Sequence, residues 1–114
     1  MGKGDMLDVQ DAMKRLGNNK SLYAMLLKKF SGDAMVEELK NKLADGDAAG
    51  AQAQAHAIKG LAANLSLTGL FAESEAIESA LRDGAATAEI DAAAIEESTA
   101  ATAEAIKDWL RDNG

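Results

Sequence analysis

Apolar residues recur every three or four positions through almost the whole chain, which is the spacing of one helix face and not the alternation of a strand. Val9, Ala12, Met13 and Leu16 predict a short first helix from about Asp8 to Leu16, stopped by Gly17. Asn18 or Asn19 can cap a second helix carrying Leu22, Tyr23, Leu26, Leu27 and Phe30, and Ser31-Gly32-Asp33 breaks it. A third segment turns Val36, Leu39 and Leu43 inward and ends at Asp45-Gly46. Asp47 then caps a helix from Ala48 to about Leu65, and another follows from Leu67 to Arg82, closed by Gly84. Leu67, Leu70, Phe71, Ser74, Ile77 and Leu81 form its stripe. Thr87 can cap a long last helix whose seam is Ile95, Thr99, Thr102, Ile106, Trp109 and Leu110. The connectors are only a few residues long, so neighbouring helices should run antiparallel. The expected fold is all-α: an antiparallel up-down four-helix bundle preceded by one or two short helices. It is a single domain over residues 1–114, with residues 1–6 expected to be flexible.

Composition sharpens this picture. Alanine, the best helix former, supplies 25 of the 114 residues and proline none, while aromatics make up 4%. The formal net charge of −7 argues against nucleic acid and against anionic lipid as partners. No apolar run approaches the roughly 18 residues of a membrane span. With no cysteine there is neither a disulfide framework nor a thiolate site, which suits the cytoplasm. The methionines, Tyr23, Phe71 and Trp109 read as core, and the acidic residues of the last two helices as a solvated face. No long uncovered apolar seam is evident, so a monomer is expected.

The chemistry concentrates in the fourth segment. Stepping about 100° per residue, Ala51, Ala55, Ile58, Ala62 and Leu65 fall on one side, the core face. His56, the only histidine, falls about 160° from Ile58 by the same arithmetic. Ala49, Ala53, Gly60 and Ala63 share its stripe, Ala57 lies beside it, Gln52 and Lys59 flank one edge and Asn64 the other. A solvent-facing helix surface is normally filled with Lys, Glu and Arg, yet here one imidazole stands out of a strip of alanine and glycine. A mid-helix glycine costs about 1 kcal/mol relative to alanine, so Gly60 asks for a reason beyond folding: clearance for something approaching His56. Lys59 is an (i, i+3) neighbour of His56 and can offer charge to an anion there. Neutral imidazole is a good nucleophile near neutral pH, and phosphoryl transfer needs mainly positioning and charge stabilisation. His56 is the candidate nucleophile, Lys59 the charge stabiliser and Gly60 the steric clearance. Gln52 and Asn64 are polar edge residues able to hydrogen-bond a phosphate oxygen or a partner.

The run His56-Ala-Ile-Lys59-Gly60-Leu-Ala-Ala-Asn64-Leu65 resembles the signature of histidine-containing phosphotransfer (HPt) domains, His-x-x-Lys-Gly followed by small residues. The segments Leu7 to Leu16 and Leu22 to Phe30 are similar to the amphipathic entry of bacterial members, and the acidic stretch Glu73 to Glu78 also sits as expected. Ser66 stands where members often carry glycine. The resemblance implies a shuttle between the aspartates of response-regulator receiver domains, and where the relay has one, a hybrid sensor histidine kinase. It implies no cofactor of the chain's own, since Mg²⁺ and the acceptor aspartate would come from the receiver. It also implies a low-profile docking floor of Ala49, Gln52, Ala53, Ala57, Ala63 and Asn64. No glycine-rich phosphate loop is present, so ATP-dependent kinase activity is not expected.

Two other classes fit less well. An acyl-carrier-like protein would need a prosthetic-group serine in an Asp-Ser-Leu setting, but Ser21 lies in Lys-Ser-Leu and Ser66 in Leu-Ser-Leu. A purely structural bundle would leave the bare stripe and the Lys59-Gly60 pair without a purpose. A metal centre needs more donors than one histidine and scattered carboxylates.

Overall fold

The computed structural model describes residues 6–113, all of whose regular elements are helices. They are α1 (Val9–Arg15), α2 (Lys20–Lys28), α3 (Gly32–Ala44), α4 (Ala48–Leu65), α5 (Thr68–Arg82) and α6 (Ala93–Asn113), with a 3₁₀ turn at Thr87–Glu89. The predicted punctuation acts through identifiable bonds. Asp8, Asn19 and Asp47 each accept a backbone N–H of the first helical turn, from Asp11, Leu22 and Gly50. These caps satisfy donors that the helix itself leaves orphaned. Gly17, Gly46 and Gly84 adopt positive φ at helix exits, where a side chain would be strained.

Helices α3 to α6 form a ring in which each packs on the next and α6 returns to α3. The most extensive contact lies between α4 and α5. The inner face of α4 explains why: Ala51, Ala55, Ile58, Ala62 and Leu65 are all buried, and three of the five are alanine, so α5 can approach closely. Hydroxyls on the buried seams are satisfied within their own helices. Ser74 Oγ donates to the Leu70 carbonyl, Thr99 to Ile95 and Thr102 to Ser98, so they enter the core without the penalty of an unpaired polar group.

The short helices close one end of the ring. Tyr23, fully buried, donates its hydroxyl to the Leu65 carbonyl at the end of α4 at 2.7 Å. Its ring meets Trp109 of α6 edge-on at a centroid distance of 5.1 Å. Ser66 holds a left-handed conformation at φ 55°, so α4 ends at Leu65 with serine where glycine would be easier. Two bonds compensate: the Asp8 N–H donates to the Ser66 carbonyl, and Ser66 Oγ donates to Asp11 Oδ2 at 2.7 Å.

Three sequence-based expectations are corrected. Thr87 does not cap the last helix; it begins the 3₁₀ turn, and α6 starts at Ala93, whose N–H is accepted by Asp91 Oδ1. Residues 1–5 lie outside the described region, but Met6 is buried, its sulfur lodged against Gly69. Met25 is not core: it is 48% exposed, because Tyr23, Ala24 and Leu27 already fill the buried side of α2. Phe71 and Trp109, each half-buried, pack against the core as expected.

Burial pushes the Tyr23 hydroxyl up to about 12 from its ordinary 10.0, with the charge of Asp8 adding to the shift. A raised pKa means that the neutral hydroxyl's stabilisation is complete below pH 10.0 and is lost as pH rises towards about 12. Ultraviolet titration of this single tyrosine should therefore show a midpoint near 12, with unfolding free energy falling over the same interval. Tyr23→Phe should cost about 1–2 kcal/mol at neutral pH and remove most of that alkaline loss; an ordinary midpoint would contradict the buried bond.

Candidate functional site

Helix α4 is rigidly oriented by its buried alanine face, and that fixes what its other side presents. The His56 side chain is 67% exposed. Ala49, Ala53, Ala57, Gly60 and Asn64 are exposed along the same surface, while Gln52, Lys59 and Ala63 are half-buried at its edges. A Cβ built at Gly60 would meet nothing within 4 Å, so the glycine is not required by packing inside the molecule. The space it keeps open faces outward, one helical turn from His56.

The ring of His56 is not loose. Its Nδ1 lies 2.7 Å from Glu78 Oε2 on the neighbouring α5, and Lys59 Nζ lies 2.6 Å from the other oxygen, Oε1. One carboxylate thus spans the two residues that the helical spacing singled out. Glu78 is itself buried, its side chain 9% exposed, and Oε1 has no aligned hydrogen bond beyond this ion contact. The Lys59 ammonium is the first cause holding the Glu78 carboxyl below the ordinary 4.5; burial opposes the shift and the His56 hydrogen bond reinforces it. An ionised carboxylate only accepts hydrogen bonds, so the proton between the pair sits on Nδ1. Nε2 is left as the free lone pair on the exposed side of the ring.

Glu78 is the residue the sequence did not single out. Its assignment to a solvated acidic face is corrected: it lies on the buried side of α5, beside Ile77 and a turn after Ser74. That placement was the available signal, since Ser74, Glu78 and Leu81 follow one another at i, i+4 and i+7 down the stripe facing α4. The other predicted residues are brought together as a surface around His56, with Asn64 furthest, two turns towards the α4 C-terminus.

A buried carboxylate with a lowered pKa contributes fully above 4.5, and its contribution is lost as pH falls through the lower folded value. Glu78→Gln should accordingly be less stable than the parent at neutral pH. The difference should shrink on acidification below about 4.5, measured as denaturant midpoints across pH. A gap that stays constant with pH would show that the charge of Glu78 is not what stabilises this contact.

No curated protein and no solved structure matches the chain significantly. A family model does: the Hpt domain matches residues 26–112, from the last turn of α2 almost to the end of α6. The stretch before residue 26, including α1, lies outside that match although it closes the end of the bundle. The matched part holds the whole four-helix ring with His56, Lys59, Gly60 and Glu78, and the chain belongs to the Hpt domain family of histidine phosphotransfer domains.

Proposed function

We propose that His56 accepts a phosphoryl group from the aspartyl phosphate of a response-regulator receiver domain and passes it to the aspartate of another. The observation that carries this reading is the Glu78 carboxylate gripping His56 through Nδ1 while the ring stays exposed. With the proton on Nδ1, the lone pair of Nε2 attacks phosphorus as the bond from phosphorus to the aspartyl oxygen breaks. No proton need leave the attacking nitrogen. Positive charge grows on the imidazole during the attack, and Glu78, 2.7 Å away, stabilises it. Lys59 Nζ, held by the same carboxylate, keeps two further N–H donors for phosphoryl oxygens.

The remaining roles follow from shape. Gly60 and the alanines at 49, 53, 57 and 63 form a floor low enough for a partner's aspartate to reach the ring, with Gln52 and Asn64 as polar contacts at its edges. Mg²⁺ would be held by the receiver's carboxylates. The chain acts as a phosphocarrier, not an ATP-dependent kinase, and as a cytoplasmic monomer. We also take the four-helix ring to run up and down. Tyr23 touches the ends of both α4 and α6, so those two run the same way, and the short turns send α3 and α5 back between them.

Transfer of labelled phosphate from phosphorylated receiver domains tests the reading. The parent should gain an acid-labile, base-stable label and His56→Gln none, with unchanged helical content; label on the variant would sink the assignment. Lys59→Ala should slow transfer by about tenfold or more, and unchanged kinetics would remove Lys59 from the site. Gly60→Leu should separate folding from docking. It raises stability by up to about 1 kcal/mol through helix propensity while transfer falls by more than about tenfold; normal transfer would show that clearance is not its role.

A further inference from the structure

Helices α3 to α6 carry six cationic side chains, and five of them meet an acid. Lys40, Lys42, Lys59, Lys107 and Arg111 each lie within 4.0 Å of an Asp or Glu oxygen. The sixth, Arg82, has no carboxylate partner among the described residues, although the chain carries a net charge of −7. It is exposed in the last turn of α5, where its Nη2 donates one hydrogen bond to Ser79 Oγ at 3.0 Å. The end of a helix favours a cation, which accounts for a positive residue there but not for its lack of an acid. Helical spacing would pair Arg82 with Glu78, four residues earlier. Glu78 is already held by Lys59 and His56.

The register of α4 on α5 puts this cation beside the histidine. Phe71, Glu78 and Arg82 share one edge of α5, since steps of seven and four residues each return to within about 40° of the same direction. Phe71 lines a hollow with Ala62 and Ala63, and Glu78 meets His56 and Lys59. The two helices are therefore antiparallel, and each turn towards the end of α5 is a turn towards the start of α4. Arg82, one turn or about 6 Å beyond Glu78 along the axis, comes alongside Gln52. It flanks His56 on one side as Lys59 does on the other, and the exposed neighbours Ala49 and Ala53 put no bulk in its way.

We propose that Arg82 is the second cation of the phosphoryl site: its guanidinium leaves Ser79 and binds the phosphoryl oxygens carried on Nε2 of His56. This rests on the phosphotransfer reading given above. A count of charges gives the reason. At rest Glu78 and Lys59 cancel and the imidazole is neutral. Once phosphorus is bonded to Nε2 with the proton still on Nδ1, the ring carries one positive charge and the phosphoryl group two negative ones. The cluster of His56, Lys59 and Glu78 is then left one positive charge short. Between the two receivers the phosphoryl group has only this chain's cations beside it, and Lys59 is shared with Glu78. Arg82 makes up the difference. Its planar fork suits phosphoryl oxygens, and one hydrogen bond to a neutral hydroxyl is readily exchanged for charge-assisted ones.

The test uses the full chain and the variant Arg82→Gln, with Arg82→Lys as the conservative control. Both change an exposed side chain, so helical content should match the parent's. The quantity measured is the equilibrium distribution of labelled phosphate between this protein and a receiver domain that exchanges it with the parent. That ratio depends only on the stabilities of the phosphorylated and free states. A residue that merely guides docking alters forward and reverse rates alike and leaves the ratio in place. Arg82→Gln should move the ratio about threefold to tenfold towards the receiver. It should also slow labelling by phosphoramidate, a small donor with no docking surface, by about the same factor. Arg82→Lys should recover most of both losses. An unchanged ratio overturns the proposal, even if the rate from the receiver falls, because Arg82 would then be a docking contact. A loss in Arg82→Lys as large as in Arg82→Gln overturns it too, since charge would not be what Arg82 supplies. Failure of the parent to be labelled by either donor strikes the phosphotransfer reading itself, a different outcome from failure of Arg82.

Discussion

A single buried carboxylate organises the chemistry of this molecule. Glu78 reaches from α5 to α4 and meets an imidazole with one oxygen and an ammonium with the other. Each partner solves a problem for the other two. Burial alone would push Glu78 towards its neutral form; the Lys59 charge reverses this and keeps it ionised. The ionised carboxylate in turn fixes the tautomer of His56, and the fixed tautomer leaves one nitrogen free on the solvent side. The geometry depends on how closely α4 and α5 pack, which depends on the buried alanines at 51, 55 and 62. Bulk at any of those positions would move the carboxylate away from the ring.

The same helix therefore does two jobs with one residue type. On its inner side alanine permits close packing of α5, and on its outer side alanine and Gly60 permit close approach of a partner. Of the exposed residues of α4, His56 and Asn64 alone carry side chains larger than a methyl group. The bundle around it needs little else, which is consistent with hydroxyls satisfied inside their own helices and caps made by single Asx side chains. The N-terminal helices add a distinct element. They secure the α4 exit through Tyr23, Ser66 and Asp11.

Much of this was legible in the sequence, for reasons particular to each element. The bounds of α4 could be read because Gly46-Asp47 starts it and its apolar period is unbroken to Leu65. The outward position of His56 followed from angular arithmetic alone, as did that of Gly60. The start of α6 could not be read: Asp91 competes with Thr87 as a cap, and the alanines around them carry no phase. Glu78 was hidden among Glu73 and Glu75 because three acids on one amphipathic helix look alike until its neighbour is in place. Met25 was misjudged because methionine suits core and contact surface equally well.

The most direct test of the account is nitrogen NMR of the imidazole of His56, the only histidine, before and after phosphorylation. The account predicts a neutral ring protonated at Nδ1 in the resting protein and phosphorus bonded to Nε2 in the phosphorylated one. Glu78→Gln should let the resting tautomers mix. A resting ring protonated mainly at Nε2, or phosphorus on Nδ1, would contradict the claim that Glu78 sets which nitrogen reacts.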